Sequence, residues 1–135
     1  MLFCVCGCGE TAENTSAPGE KKAVDVDLSV LSGTVVYAEV FNMTSEPTPY
    51  LGKTVRMRGN FSVYTNEMTG QTYFACIIPD ATACCSQGIE FILADNRKYP
   101  EEYPTIGEEI TVSGVFGTYL EDGYVYCRLT DAKME

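Results

Sequence analysis

The chain has no histidine and no tryptophan, and it sets 9 Lys and Arg against 19 Asp and Glu, a formal charge of -10. Without histidine it lacks the commonest general base and the usual partner that activates a nucleophile. Every protein ligand to a metal would have to be a thiolate or a carboxylate. The scarcity of basic residues sets the summed field against a phosphate backbone, so nucleic acid is not an expected partner. The strongest basic run, Lys53, Arg56 and Arg58, lacks the interleaved aromatics that hold single strands, and it reads as the solvated face of a strand. No apolar stretch approaches the ~18 residues that a spanning helix requires. No glycine-rich phosphate loop occurs either, because the 12 glycines are scattered through turns and strands. The acidic residues Glu101, Glu102, Glu108 and Glu109 fall in a polar connecting loop, as solvated surface rather than an acid/base pair.

What is present is an internal echo. Residues Tyr50 to Tyr64, with Gly52, Val55, Met57, Gly59, Phe61 and Val63, are mirrored by Ile106 to Tyr119, with Gly107, Ile110, Val112, Gly114 and Phe116. Each unit then turns through a Gly-bearing loop, Asn66 to Gln71 in one and Glu121 to Gly123 in the other. Each turn leads to a strand that begins with tyrosine and reaches cysteine three residues later, Tyr73 to Cys76 and Tyr124 to Cys127. Period-two alternation puts Val55, Met57, Phe61 and Val63 on one face and Arg56, Arg58, Asn60 and Ser62 on the other, so these are hairpins with one face buried. Gly59 and Gly114 have the inward parity, where a strand without a side chain can bend sharply. With Gly88 to Leu93 as a third strand the count is five, split by a longer connection between the third and fourth. That arrangement predicts an all-β domain, a five-stranded barrel of the oligonucleotide/oligosaccharide-binding (OB) type.

Ahead of the hairpins, Thr34 to Met43 predicts one short helix with Thr34 as N-cap and Glu39 near its first turns. Pro47 and Pro49 forbid its continuation. Val24 to Val30 alternates as a short edge strand or runs as ordered linker. The expected organisation is a truncated lipoprotein-type signal over residues 1–8, a polar linker over 9–30 and the folded domain over 31–135.

The signal reading rests on Val5, Cys6, Gly7 and Cys8, which resemble a bacterial lipobox: a small residue precedes the cysteine that is acylated and becomes the new N-terminus. The resemblance implies lipidation of Cys8, a lipid anchor in the cell membrane and an extracytoplasmic address. The stretch Thr11 to Lys22, rich in Ser, Thr, Pro, Gly and Glu, reads as the tether that follows. Further along, Pro49, Tyr50, Leu51, Gly52 and Lys53, leading into the strand that ends at Gly59, resemble the start of OB-like domains in bacterial extracytoplasmic and lipoprotein families. The segment Asp80 to Phe91, with adjacent Cys84 and Cys85, is similar to one in uncharacterised lipoproteins of gut-type Gram-positive bacteria. It is more distantly similar to a Cys-Cys segment in some permease-associated OB-like domains. The resemblance spans roughly residues 34–132, and it implies a fold without an activity.

Two groups of side chains are candidate sites. Cys76 and Cys127 have the inward parity, and an OB topology would bring them together with Cys84 and Cys85 at one end of the barrel. Such a cluster reads as disulfides in an extracytoplasmic protein, as a soft-metal site for Zn²⁺ or Cu(I), or as buried unpaired thiols. No other cofactor is expected. Tyr64, Tyr73, Tyr119, Tyr124 and Tyr126 lie near the two hairpin turns on or close to the outward parity. They read as a platform for a sugar or peptide, or as cross-strand pairs that stabilise a half-exposed sheet. The functional expectation is a non-enzymatic, lipid-anchored binding or accessory module for an unknown protein, peptide or sugar ligand. The alternative is a metal-binding or redox-active thiol protein.

Overall fold

The structure, a computed structural model, describes residues 23–79 and 85–135. The chain is mostly β, with one α-helix and one six-stranded mixed sheet. The strands are β1 (Val26–Asp27), β2 (Thr54–Thr65), β3 (Thr72–Pro79), β4 (Ser86–Leu93), β5 (Glu109–Glu121) and β6 (Tyr124–Met134). Helix α1 (Gly33–Ser45) and a single 3-10 turn (Thr48–Tyr50) precede β2. The sheet order is β1-β2-β3-β4-β6-β5, and an additional β2–β5 pairing closes the hydrogen bonding into a ring. β4 and β6 run parallel, as do β1 and β2; the other pairs are antiparallel.

β2 makes that closure possible. Its first half, Thr54 to Asn60, pairs with β5, and its second half, Asn60 to Thr65, pairs with β3. The partner changes at Asn60, next to Gly59, where a Cβ would stand 2.5 Å from the Ile77 carbonyl oxygen and 2.9 Å from Cys76 Sγ. Only glycine lets three strands approach so closely at the bend. Gly114 meets the same constraint where β5 and β6 shift register, with the Thr130 carbonyl oxygen 2.8 Å from where its Cβ would be.

The alternation read from the sequence holds along β2. Val55, Met57 and Phe61 are buried, and Val63 packs against the core. Outward-facing Arg56 pairs with Glu135 at 2.8 Å, and Arg58 donates to the Ser29 carbonyl at 3.1 Å, so two of the three basic side chains in that run are engaged internally. The interior is filled by Phe61, Phe91, Phe116, Met57, Ile89 and Leu129, and among the described residues no polar side chain is buried with them.

Both ends of the ring are covered. α1 buries Val36, Val40 and Met43 and lies against β3 and β4, at the end where β4 and β6 begin. Its spacing of i, i+4 and i+7 is one helical stripe. At the opposite end the connection from β4 to β5 folds inward: Tyr103 stacks on Phe74 at 4.4 Å and on Phe61 at 5.8 Å, and Tyr99 meets Phe74 at 5.3 Å.

Three differences from the sequence reading have physical causes. There are six strands rather than five, because the alternating segment beginning at Val24 adds β1 to the edge of β2, and Leu28 behind it is only 1% exposed. The packed body therefore starts before residue 31, inside the stretch expected to be linker. The helix is capped by Ser32, two residues earlier than Thr34, and the Ser32 side chain makes no capping bond; its carbonyl instead receives Val36 N–H at 2.9 Å. The acidic loop does stay solvated at Glu101, Glu102, Glu108 and Glu109, but its Tyr103 turns onto the core, with the more exposed Tyr99 against it.

Gly59→Ala is expected to lower stability by about 1–3 kcal/mol through overpacking. Gly117→Ala, where an added Cβ meets nothing within 4 Å, is expected to stay within about 0.5 kcal/mol of wild type. Urea midpoints of the two variants measure the contrast, and equal losses would remove the steric argument.

Candidate ligand-binding face

On the outside of the ring, alternation brings Tyr73 of β3, Glu90 of β4 and Arg128 of β6 to one face. The β5–β6 hairpin supplies the rest. Its turn places Asp122 at φ 50 and Gly123 at φ +83, the pair of left-handed residues that a tight two-residue hairpin requires. This fixes Glu121 opposite Tyr124, Tyr119 opposite Tyr126 and Thr118 opposite Cys127.

The β5–β6 hairpin meets β3 and β4 through phenol-to-carboxylate hydrogen bonds. Tyr73 donates its hydroxyl to Glu121 Oε1 at 2.6 Å, and Tyr119 donates to Glu90 Oε2 at 2.5 Å. The Arg128 guanidinium lies over the Tyr119 ring, 4.4 Å from its centroid, a cation–π contact. Tyr64 stacks on its cross-strand partner Tyr73 at 6.1 Å, and Tyr126 stacks on Tyr119 at 5.4 Å. Four of the five tyrosines singled out in the sequence thus form two cross-strand pairs, and the pairs belong to one surface. Tyr124 stands beside them, 69% exposed.

A cavity of about 260 Å³ opens on this surface, lined by Tyr73, Phe74, Glu90, Ile92, Tyr103 and Arg128 among others. A larger hollow of about 670 Å³ lies elsewhere, beside β6 and the end of β4. Its three basic side chains, Arg56, Arg97 and Lys133, face three acidic ones, Asp95, Asp131 and Glu135. Two pairs there are closed already, Arg56 with Glu135 and Arg97 with Asp95. We place the candidate site at the smaller cavity because aromatic rings converge there with Glu90 and Arg128.

The electrostatics follow from the geometry. Burial raises the Glu90 carboxyl above its ordinary value; Glu121 adds to the effect, while the Tyr119 hydroxyl and Arg128 oppose it. Accepted by Glu121, the Tyr73 hydroxyl is pushed up to about 12. Burial and the bond to Glu90 raise Tyr119 as well.

The cysteines are distributed differently. Cys76 points into the core with no exposed surface, and Cys127 is half-buried with its Sγ 4.0 Å from the Met43 carbonyl oxygen of α1. Both are free thiols. Cys76 pairs with Ile89, and the next residue, Glu90, pairs with Arg128, so the Ile89 position separates Cys76 from Cys127 across the sheet. Cys85 is exposed at the start of β4. Cys84 and the expected lipidation residue Cys8 lie outside the described residues. Burial pushes the Cys76 thiol up to about 12, and burial with Glu90 nearby raises Cys127. Such thiols stay protonated at neutral pH, unlike nucleophiles or metal ligands. Among the described residues no group of three or more Cys, Asp or Glu is placed to hold a metal ion.

The sequence reading missed Glu90, Glu121 and Arg128. The same alternation that marked the tyrosines marks Glu90, between inward Ile89 and Phe91, and Arg128, between inward Cys127 and Leu129. Nothing local signalled that Glu90 would meet a phenol of the β5–β6 hairpin and Glu121 one of β3, or that Tyr103 would join the cavity. No protein-family model matches the chain, and no curated protein matches it.

Two outcomes are expected. The folded protein holds the Glu90 proton more tightly than the unfolded chain. This group's contribution to stability is therefore complete below the unfolded value of 4.5 and is lost as pH rises through the raised folded value. Glu90→Gln should flatten that loss, read as the difference in urea midpoint from wild type between about pH 4 and 7; a difference independent of pH would contradict it. Cys76 should resist alkylation in the folded protein and react only at the rate of unfolding, whereas rapid labelling under native conditions would contradict its burial.

Proposed function

We propose that this protein is a non-enzymatic, extracytoplasmic, lipid-anchored binding module built on an OB-type barrel, and that its ligand engages the outer face of β3, β4 and β6. The barrel reading is supported by the closed order β2-β3-β4-β6-β5-β2, in which β4 and β6, the third and fifth ring strands counted along the chain, run parallel. A long connection, residues 94–108, lies between the third and fourth members. OB barrels bind ligands on the face of their second and third strands, flanked by the loops that follow the first and fourth. In this chain those correspond to β3 and β4, with the turns at 66–71 and 122–123.

One observation carries the functional reading: the Tyr73–Glu121 and Tyr119–Glu90 hydrogen bonds tie the β5–β6 hairpin to β3 and β4 in a fixed aromatic and polar surface beside a cavity. A few convergent polar groups around an apolar hollow are what a recognition site needs. The formal charge of -10 argues against nucleic acid. The lipobox-like residues Val5 to Cys8 and the polar stretch after them support the anchored, extracytoplasmic address, with Cys8 as the acylated residue.

The reading is tested by amide-shift mapping of the whole chain against a panel of short peptides, oligosaccharides and single-stranded DNA. Binders are expected to shift β3, β4 and β6 around Tyr73, Glu90 and Arg128. DNA is expected to shift nothing, even at low salt. Binders that cluster instead at the larger hollow near Lys133 would overturn the site assignment. In a Gram-positive host, Cys8→Ala is expected to move the protein from the membrane fraction to the medium; unchanged fractionation would overturn the anchor.

A further inference from the structure

Resting on the reading of this face as the ligand site, we infer that it recognises a cationic side chain, the guanidinium or ammonium of an arginine or lysine in a partner peptide. The hydrogen-bond inventory points there first. The Tyr73 and Tyr119 hydroxyls already donate to Glu121 and Glu90, so what those two pairs still offer is acceptors, the remaining carboxylate lone pairs. Arginine and lysine heads are donors without acceptors, whereas a sugar hydroxyl presents both.

Charge points the same way. Glu90, Glu121 and Asp122 all act on Tyr73, and Arg128 is the cation acting on Glu90. The face therefore keeps more negative than positive charge on a chain that is itself at -10, a field that attracts basic partners.

The structure also contains an internal example of the contact. On one side of the face, a tyrosine bonded to a carboxylate carries a guanidinium on its ring: Tyr119, Glu90 and Arg128. The other side repeats the first two members with Tyr73 and Glu121, and Arg128 is committed to Tyr119. Tyr64, stacked on Tyr73, is 64% exposed and extends that ring surface. A cation seated by Tyr73 would complete the second set, with the ring quadrupole and the Glu121 carboxylate acting together. The cavity volume of about 260 Å³ falls below the ~300–1,000 Å³ that encloses a whole small molecule and suits a single long side chain with its peptide lying across the sheet.

The experiment titrates the full chain with a capped Gly-Arg-Gly-Arg-Gly peptide, its citrulline counterpart and a neutral β-linked glucose hexasaccharide, following backbone amide shifts. The arginine peptide is expected to shift β3, β4 and β6, and the uncharged citrulline peptide and the sugar to bind at least about tenfold more weakly. Tyr73→Leu and Glu121→Gln should each weaken the arginine peptide about tenfold. Glu101→Gln, which changes the net charge as Glu121→Gln does but sits on the solvated loop, should leave affinity within twofold, roughly the screening-limited effect of a remote surface charge. Equal losses for Glu101→Gln and Glu121→Gln would overturn the inference by reducing it to bulk charge. Binding of the citrulline peptide or the sugar as tightly as the arginine peptide, at the same residues, would overturn the cation and leave the face as a ligand site. No shift at the face with any probe would overturn both.

Discussion

The fold depends on one strand serving two partners. β2 leaves β5 and joins β3 at Asn60, and this switch converts a sheet with two open edges into a closed ring. Closure removes the unpaired edges that exposed sheets must otherwise protect. It also brings the second hairpin around until Glu121 reaches Tyr73 on β3 and Tyr119 reaches Glu90 on β4. Gly59 is the local condition for all of this, because the carbonyl of Ile77 occupies the space a side chain would need. The face and the core are thus consequences of the same bend.

The interior and the exterior divide the chemistry. Inside are phenylalanines, aliphatic residues and a thiol held protonated by burial, a packing that leaves Cys76 inert. Outside, the Tyr73 and Tyr119 hydroxyls are spent on Glu121 and Glu90, which ties the outer face together across its strands. Tyr103 belongs to both: it stacks on Phe74 at the end of the ring and lines the cavity on the face. Such a site is held by packed rings and a closed sheet rather than by a mobile loop, which limits the ordering cost of binding.

Much of the architecture was legible in the sequence because it is periodic. The duplicated hairpins, the inward glycines and the helix ahead of them all follow from alternation, turn chemistry and proline position. β1 was harder to read, since two paired residues leave too short a pattern to separate a strand from a linker. The site was half legible. Tyr64, Tyr73, Tyr119 and Tyr126 were visible as outward tyrosines near turns, but Glu90 and Glu121 gain their meaning only from contacts between strands far apart in the chain, and Arg128 from its place over the Tyr119 ring. The cysteines illustrate the opposite failure: inward parity correctly buried Cys76, yet shared parity on β3 and β6 does not make Cys76 and Cys127 neighbours when β4 lies between them.

The central claim is that the two hairpins form one coupled face rather than two independent surfaces. A double-mutant cycle on Tyr73→Phe and Glu121→Gln, the bonded pair that links β3 of one hairpin to β5 of the other, measured by chemical denaturation, tests it most directly. The account predicts a coupling clearly larger than the ~0.3–0.5 kcal/mol within which distant sites add. Additivity within that margin would mean that the phenol and the carboxylate act separately, and it would contradict the account.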